Sequence, residues 1–109
     1  RNQLLLTVAG AVGVAIAIDV VWIGLTLEDR DRHADGRPDF VERLDVLMRS
    51  QEGGVGVAAP AIDLSGRDLV DRATLEPRLL AATLSCHVAT MPCGQCPGCA
   101  KRRGVLEAL

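Results

Sequence analysis

The sequence predicts an α/β fold, with helices layered on a parallel sheet and a metal-bound knuckle near the C-terminus. Three observations carry this expectation. Apolar runs rich in β-branched residues alternate with helical stretches. The runs are continuous rather than alternating, as in strands buried on both faces. All four cysteines of the 109-residue chain fall within fourteen positions, Cys86 to Cys99.

The elements follow in order. Residues 3–18 read as a helix that is apolar nearly all round. Ala9, Gly10, Ala11, Gly13 and Ala15 are small enough for close packing on a sheet, which must offset about 1 kcal/mol of lost helix propensity at each glycine. "VVWIGLT" (20–26) is the first strand, expected in the centre of a sheet. Residues 27–40 are polar, charged and turn-rich, and read as a loop. Pro38 opens a helix that runs to Arg49, with Phe40, Val41, Leu44, Leu47 and Met48 on one face. "SQEGGVG" breaks it, and "VGVAAPAIDL" (55–64) is the second strand. Ser65 caps a short helix over 65–73, with Asp68 three residues on. Another short helix lies within 74–84. A basic terminal helix is expected from about Ala100.

A helix with no strand before it and two parallel strands alone do not complete a sheet. The chain therefore reads as the second half of a larger Rossmann-like domain, with residues 1–85 as its C-terminal part and 86–109 as the knuckle and terminal helix. A start at Arg1 rather than methionine agrees with an internal piece of a longer product.

Composition excludes several classes. Apolar residues make up 49% and charged residues 24%, a globular balance. A net charge of −2 does not suit a nucleic-acid clamp. Trp22 and Phe40 are the only aromatic residues, which argues against base stacking. The run 4–27 is long enough to span a bilayer, and the "AIA" at 15–17 resembles a secretory cleavage site. Asp19 would sit at the bilayer centre, and a signal peptide leaves the β-branched run unexplained. A soluble core in the cytoplasm is the favoured reading.

The cysteines are spaced by six, two and two residues. Short gaps with Gly94 and Gly98 permit tight turns that aim sulfurs at one ion, and Pro92 and Pro97 stiffen them. Thiolates suit zinc or an iron–sulfur cluster. "CGQCPGC" echoes half of a ferredoxin run, but the fourth cysteine lies upstream and the Cys-Pro that follows such runs is missing. Disulfides need an oxidising compartment, and three of these cysteines are cramped for two bridges. Structural zinc at Cys86, Cys93, Cys96 and Cys99 is the favoured reading, with His87 as a bystander and Lys101, Arg102 and Arg103 offsetting excess charge. A closed four-thiolate site leaves no open position for chemistry.

The loop after the first strand lies where open α/β sheets bind ligands. It carries Glu28, Asp29, Arg30, Asp31, Arg32, His33, Asp35 and Arg37. Its carboxylates suit an amino-pyrimidine edge, and its arginines suit a carboxylate or phosphate. A solvated surface of self-cancelling ion pairs explains the same residues.

Three stretches together, "RN" at the start, "GLTLEDRDRHADGRPDF" and "SCHVATMPCGQCPGCAKR", resemble the C-terminal half of the 7-cyano-7-deazaguanine synthase, or QueC, family. The resemblance covers nearly the whole chain. It implies a Rossmann-like PP-loop ATPase fold of the HUP type with a four-cysteine zinc site. It further implies ATP, with Mg2+, activating the carboxylate of 7-carboxy-7-deazaguanine by adenylation, and ammonia then giving amide and nitrile. Carried over, Cys86, Cys93, Cys96 and Cys99 are zinc ligands, and Arg1, Asn2, Asp29, Asp35 and Arg37 are substrate- or nucleotide-binding positions. Phe40 matches the aromatic that closes the loop motif.

The chain departs from the family pattern at Thr26, usually Asn, at Asp31, Arg32 and His33, usually Ser-Gly-Tyr, and at Gly36, commonly Cys. The Ser-Gly-Gly-x-Asp-Ser pyrophosphate loop is absent from these residues, so this segment alone is expected to be inactive with ATP. The departures fall on the substrate side. They keep open a QueC-like component of a bacterial antiviral defence system that acts on another carboxylate or a macromolecule. A non-enzymatic zinc-stabilised binding module is the third reading. Expected partners are a deazapurine and ATP, a second copy in a homodimer, and protein partners in the defence reading. Neither membrane nor direct nucleic-acid contact is expected.

Overall fold

The computed structural model describes residues 1–107. Its elements are α1 (Asn2–Ala15), β1 (Val20–Trp22), α2 (Leu27–Arg32), a 3-10 turn (Ala34–Gly36), α3 (Pro38–Arg49), β2 (Gly56–Ala58), α4 (Gly66–Arg72), α5 (Pro77–Ala81) and α6 (Pro97–Glu107). The last two residues of the terminal helix expected from sequence lie outside the described residues. The architecture is α/β, and β1 and β2 pair in parallel with Val21 opposite Val57. The chain divides into two compact units, Arg1–Ser65 and Gly66–Leu109.

In the first unit the core is Leu6 of α1, Leu25, Val41, Leu44 and Met48 of α3, and Val57 of β2. α3 has the period of a half-buried helix and buries Val41, Leu44 and Met48. Gly10 is where α1 and α3 approach: a Cβ there would stand 2.1 Å from the Met48 Cε, so glycine leaves the space that methionine fills.

α1 ends at Ala15, three residues before the expected end. Ala17 takes the left-handed conformation at φ 55°, and the Ile18 N–H returns to the Gly13 carbonyl at 3.0 Å. That is a Schellman stop with alanine where glycine is usual. Both strands are also shorter than the sequence suggests. Leu25 N–H bonds the Ile23 carbonyl instead of a neighbouring strand, and Pro60 brings no N–H to extend β2. β1 was expected to be covered on both faces, yet Trp22 is 71% exposed.

The stretch 27–40, expected to be a loop, contains α2 and the 3-10 turn. Thr26 and Asp29 form a capping box, which nucleates a six-residue helix in a charged sequence. In the second unit, Arg67 and Asp71 pair along α4 at 2.8 Å. The Arg102 guanidinium of α6 donates to the carbonyls of Leu80, at 2.9 Å, and Ala81, at 3.4 Å, and so closes the end of α5. No helix of the described residues is long and apolar enough to cross a membrane.

Candidate metal centre

The chain reaches its four cysteines by a sequence of tight turns. Gly94 follows Cys93 at φ 77°, a conformation in which a side chain is strained. Pro97 opens α6, so the terminal helix begins three residues before the expected Ala100. Cys96 stands at its N-cap. The Cys96 carbonyl accepts from Ala100 N–H at 2.9 Å, and its Sγ accepts from Cys99 N–H at 3.4 Å. The residue that caps the helix is therefore also a ligand candidate, and Cys99 sits in the first turn.

The four sulfurs lie within 4.8 Å of one another. Cys93 and Cys99 are 4.0 Å apart, and Cys96 and Cys86 are 3.9 Å apart. Metal–thiolate bonds of about 2.3 Å in a tetrahedron give sulfur–sulfur edges of about 3.8 Å. A disulfide needs about 2.05 Å, so these spacings fit ligands of one ion and not bridged pairs.

The surroundings supply what thiolates need. Further N–H donors are His87 to the Cys96 sulfur at 3.4 Å, Ala89 to Cys86 at 3.3 Å, and Cys96 to Cys93 at 3.4 Å. The backbone N–H groups of Val88 and Cys93 hold the Cys86 thiol down at about 6. Those of His87 and Cys99 lower Cys96. At Cys99 the Gly94 N–H acts in the same direction, but burial and the neighbouring sulfurs outweigh it and push the thiol up to about 11. Four like charges at this spacing need a cation between them, and the donor set is that of a soft divalent metal.

Two residues outside the ligand set hold it in shape. A Cβ on Gly98 would stand 1.8 Å from the Ser85 carbonyl and 2.8 Å from the His87 Nε2. Only glycine lets the start of α6 lie against residues 85–87. The Arg103 guanidinium donates to the Gly94 carbonyl, fixing the turn between Cys93 and Cys96. Arg102 and Arg103 thus bond carbonyls, whereas the sequence suggested charge compensation at the sulfurs.

The five ligand positions suggested by resemblance lie in the first unit. Asn2, buried at the start of α1, donates its N–H to Asp35 Oδ2 and its Nδ2 to the Asp35 carbonyl, both at 2.9 Å. That N–H holds the Asp35 carboxyl below the usual range. The Asp29 Oδ2 accepts from Thr26 N–H at 3.0 Å and from its hydroxyl at 2.9 Å. A Cβ on Gly36 would meet the Asp29 carbonyl at 3.0 Å, so Asn2, Asp29 and Asp35 share one neighbourhood. Arg1 and Arg37 are exposed. Arg30 bridges to Asp63 at 3.2 Å, which ties α2 to the segment after β2. Sequence reasoning missed the Thr26–Asp29 box, although its spacing was readable. It also missed Gly98, whose role depends on a contact eleven or more residues away in sequence.

The model of the family described as "Queuosine biosynthesis protein QueC" matches residues 1–109. A 7-cyano-7-deazaguanine synthase of Methanothrix thermoacetophila is 30% identical over 99% of the chain and 51% of its own length. One from Methanosarcina barkeri is 29% identical over 94% of the chain and 45% of its length. One from Nitrosomonas eutropha is 30% identical over 99% of the chain and 52% of its length. The chain spans about half the length of the curated relatives it matches.

Proposed function

The chain belongs to the QueC family, whose model covers it from end to end, and we propose that it is the C-terminal part of a 7-cyano-7-deazaguanine synthase. On this reading residues 1–85 complete a Rossmann-like PP-loop domain, and 86–109 form its zinc knuckle and terminal helix. ATP adenylates the carboxylate of 7-carboxy-7-deazaguanine and releases pyrophosphate. Ammonia displaces AMP to give the amide, and a second ATP activates the amide oxygen, whose loss leaves the nitrile. The pyrophosphate loop lies outside these residues.

Zinc is the ion that the four thiolates suit best, and a closed site of this kind is structural. It holds the start of α6 against residues 85–87 and takes no part in the reaction. Asn2 and Asp35 join the start of α1 to the turn before α3. Asp29 orders α2, and Arg1 and Arg37 are exposed cations that can meet an anionic group. The family match is the observation that carries the proposal. Incubation of the complete protein with 7-carboxy-7-deazaguanine, ATP and ammonia is expected to yield the nitrile and AMP. Bound nucleotide without nitrile counts against it.

A second reading rests on Asp31, Arg32 and His33, which are exposed and replace the family's usual Ser-Gly-Tyr. Here the same fold activates another carboxylate in a defence system. The nitrile assay separates the two.

A further inference from the structure

The four sulfurs of the metal centre are not equally sheltered. Cys96 and Cys99 are buried, at 8% and 7% exposure, Cys86 is half-buried, and Cys93 is exposed. Backbone N–H groups draw electron density from a thiolate and blunt it as a nucleophile. The Cys96 sulfur accepts from His87 and from Cys99, both at 3.4 Å, and the Cys86 sulfur from Ala89 at 3.3 Å. The Cys93 sulfur accepts from Cys96 N–H at 3.4 Å, on a residue that solvent reaches. Oxidation of thiolates follows exposure, so a small oxidant meets Cys93 first.

Cys93 also has a partner in reach. Its Sγ lies 4.0 Å from that of Cys99. A disulfide needs about 2.05 Å, so a shift of about 2 Å joins them. Cys99 is fixed in the first turn of α6, while Cys93 precedes Gly94 in a turn at φ 77°. A turn adjusts more readily than a helix, so Cys93 is the side that moves. The Cys86–Cys96 edge is as short, at 3.9 Å, but its Cys96 end is buried. A cavity of about 190 Å³ lies beside the Cys93–Cys99 edge. Pro92 and Gly94, on either side of Cys93, line it together with Cys99, Arg102 and Arg103. It admits a molecule several times the size of water. The two guanidiniums supply positive charge where an oxygen anion leaves.

We propose that Cys93 is an oxidation site for hydroperoxides, with Cys99 as its resolving thiol, and that the disulfide between them opens the metal centre. The Cys93 thiolate attacks the terminal oxygen of the peroxide. A sulfur–oxygen bond forms, the oxygen–oxygen bond breaks, and the leaving alkoxide or hydroxide takes a proton from water. The Cys99 thiolate then attacks the Cys93 sulfur. The disulfide forms, and the sulfenic oxygen leaves as hydroxide. The two sulfurs together give up two electrons, and the peroxide gains them. The ion is left with Cys86 and Cys96, half of a closed tetrahedral set, and is released. The start of α6 is then no longer held against residues 85–87. The inference rests on the reading of the cluster as a closed zinc site.

The test uses the complete protein and needs no substrate, so a failed nitrile assay leaves it standing. Zinc is measured first, and a protein isolated without it overturns the zinc reading and the proposal together. With zinc present, substoichiometric hydrogen peroxide is followed by alkylation of free thiols, digestion and mass spectrometry. The expected first product is Cys93 joined to Cys99. Zinc is expected to leave in step with it, read by a chromogenic chelator, and dithiothreitol with added zinc is expected to reverse both changes. A first disulfide that contains Cys86 or Cys96, oxidation without zinc release, or zinc retained under excess peroxide overturns the proposal while the zinc reading stands. Cys93→His keeps a zinc ligand and removes the exposed sulfur. It is expected to slow peroxide-driven release roughly ten-fold or more, and an unchanged rate overturns the proposal. If this variant fails to hold zinc, the disulfide found in the parent protein decides.

Discussion

Gly98 and Asp45 show how much a single position carries in this chain. Gly98→Ala forces a methyl group against the Ser85 carbonyl, and the backbone there has no flexible side chain to yield. The expected result is metal affinity weaker by on the order of 10–100-fold, the range seen when ligand orientation is disturbed, measured by competition with a chromogenic chelator. Asp45 accepts the Val57 N–H first and the Arg49 guanidinium second, which lowers its carboxyl below 3.8. A lowered folded value means that its stabilisation is present above the unfolded value, near 3.8, and is lost as pH falls through the lower one. Asp45→Ala is expected to cost about 1–3 kcal/mol at neutral pH. In urea titrations its gap to the parent protein should be constant at neutral pH and close below about pH 4. Asp45→Asn keeps an acceptor for Val57 and should lose less.

Helix ends explain most of the differences between the expected and observed elements. α2 exists because Thr26 and Asp29 satisfy each other's end groups in a six-residue segment that has no buried residue of its own. Thr26→Ala is therefore expected to cost about 1 kcal/mol and to speed amide exchange at Asp29 and Arg30. Thr26→Asn restores the family's usual residue and an equally good cap, so it should lie within a few tenths of a kcal/mol of the parent. α1 stops at a left-handed alanine, where glycine relieves a steric cost of about 1–2 kcal/mol. Ala17→Gly is expected to raise the thermal midpoint, read by circular dichroism, with no change in helix content. The start of α6 shows the same logic: a proline and a sulfur N-cap set it at Pro97, ahead of Ala100, where the basic terminal helix was expected.

In the molecule as a whole, the two units draw on different sources of stability. The unit Arg1–Ser65 has an apolar core drawn from α1, α3 and β2. In Gly66–Leu109 the buried apolar side chains, among the described residues, are Leu80, Cys96 and Cys99, too few to offset chain entropy without a crosslinking ion. A strong chelator is expected to abolish amide protection in α6 while the α3 and β2 amides keep theirs, as read by residue-level hydrogen exchange. The sequence alone determined the class of the fold, the span of α3, the four-thiolate cluster and the family, because periodicity, proline placement and cysteine spacing are local and discrete. It did not determine that Asn2 and Asp35 meet across 33 residues, that Gly98 is walled by Ser85 and His87, or that Asp45 seals one side of the sheet. Those contacts join segments whose separation along the chain carries no periodic signal. They exist only once the backbone has folded, because packing and unpaired N–H groups then select among partners that a linear pattern leaves equivalent.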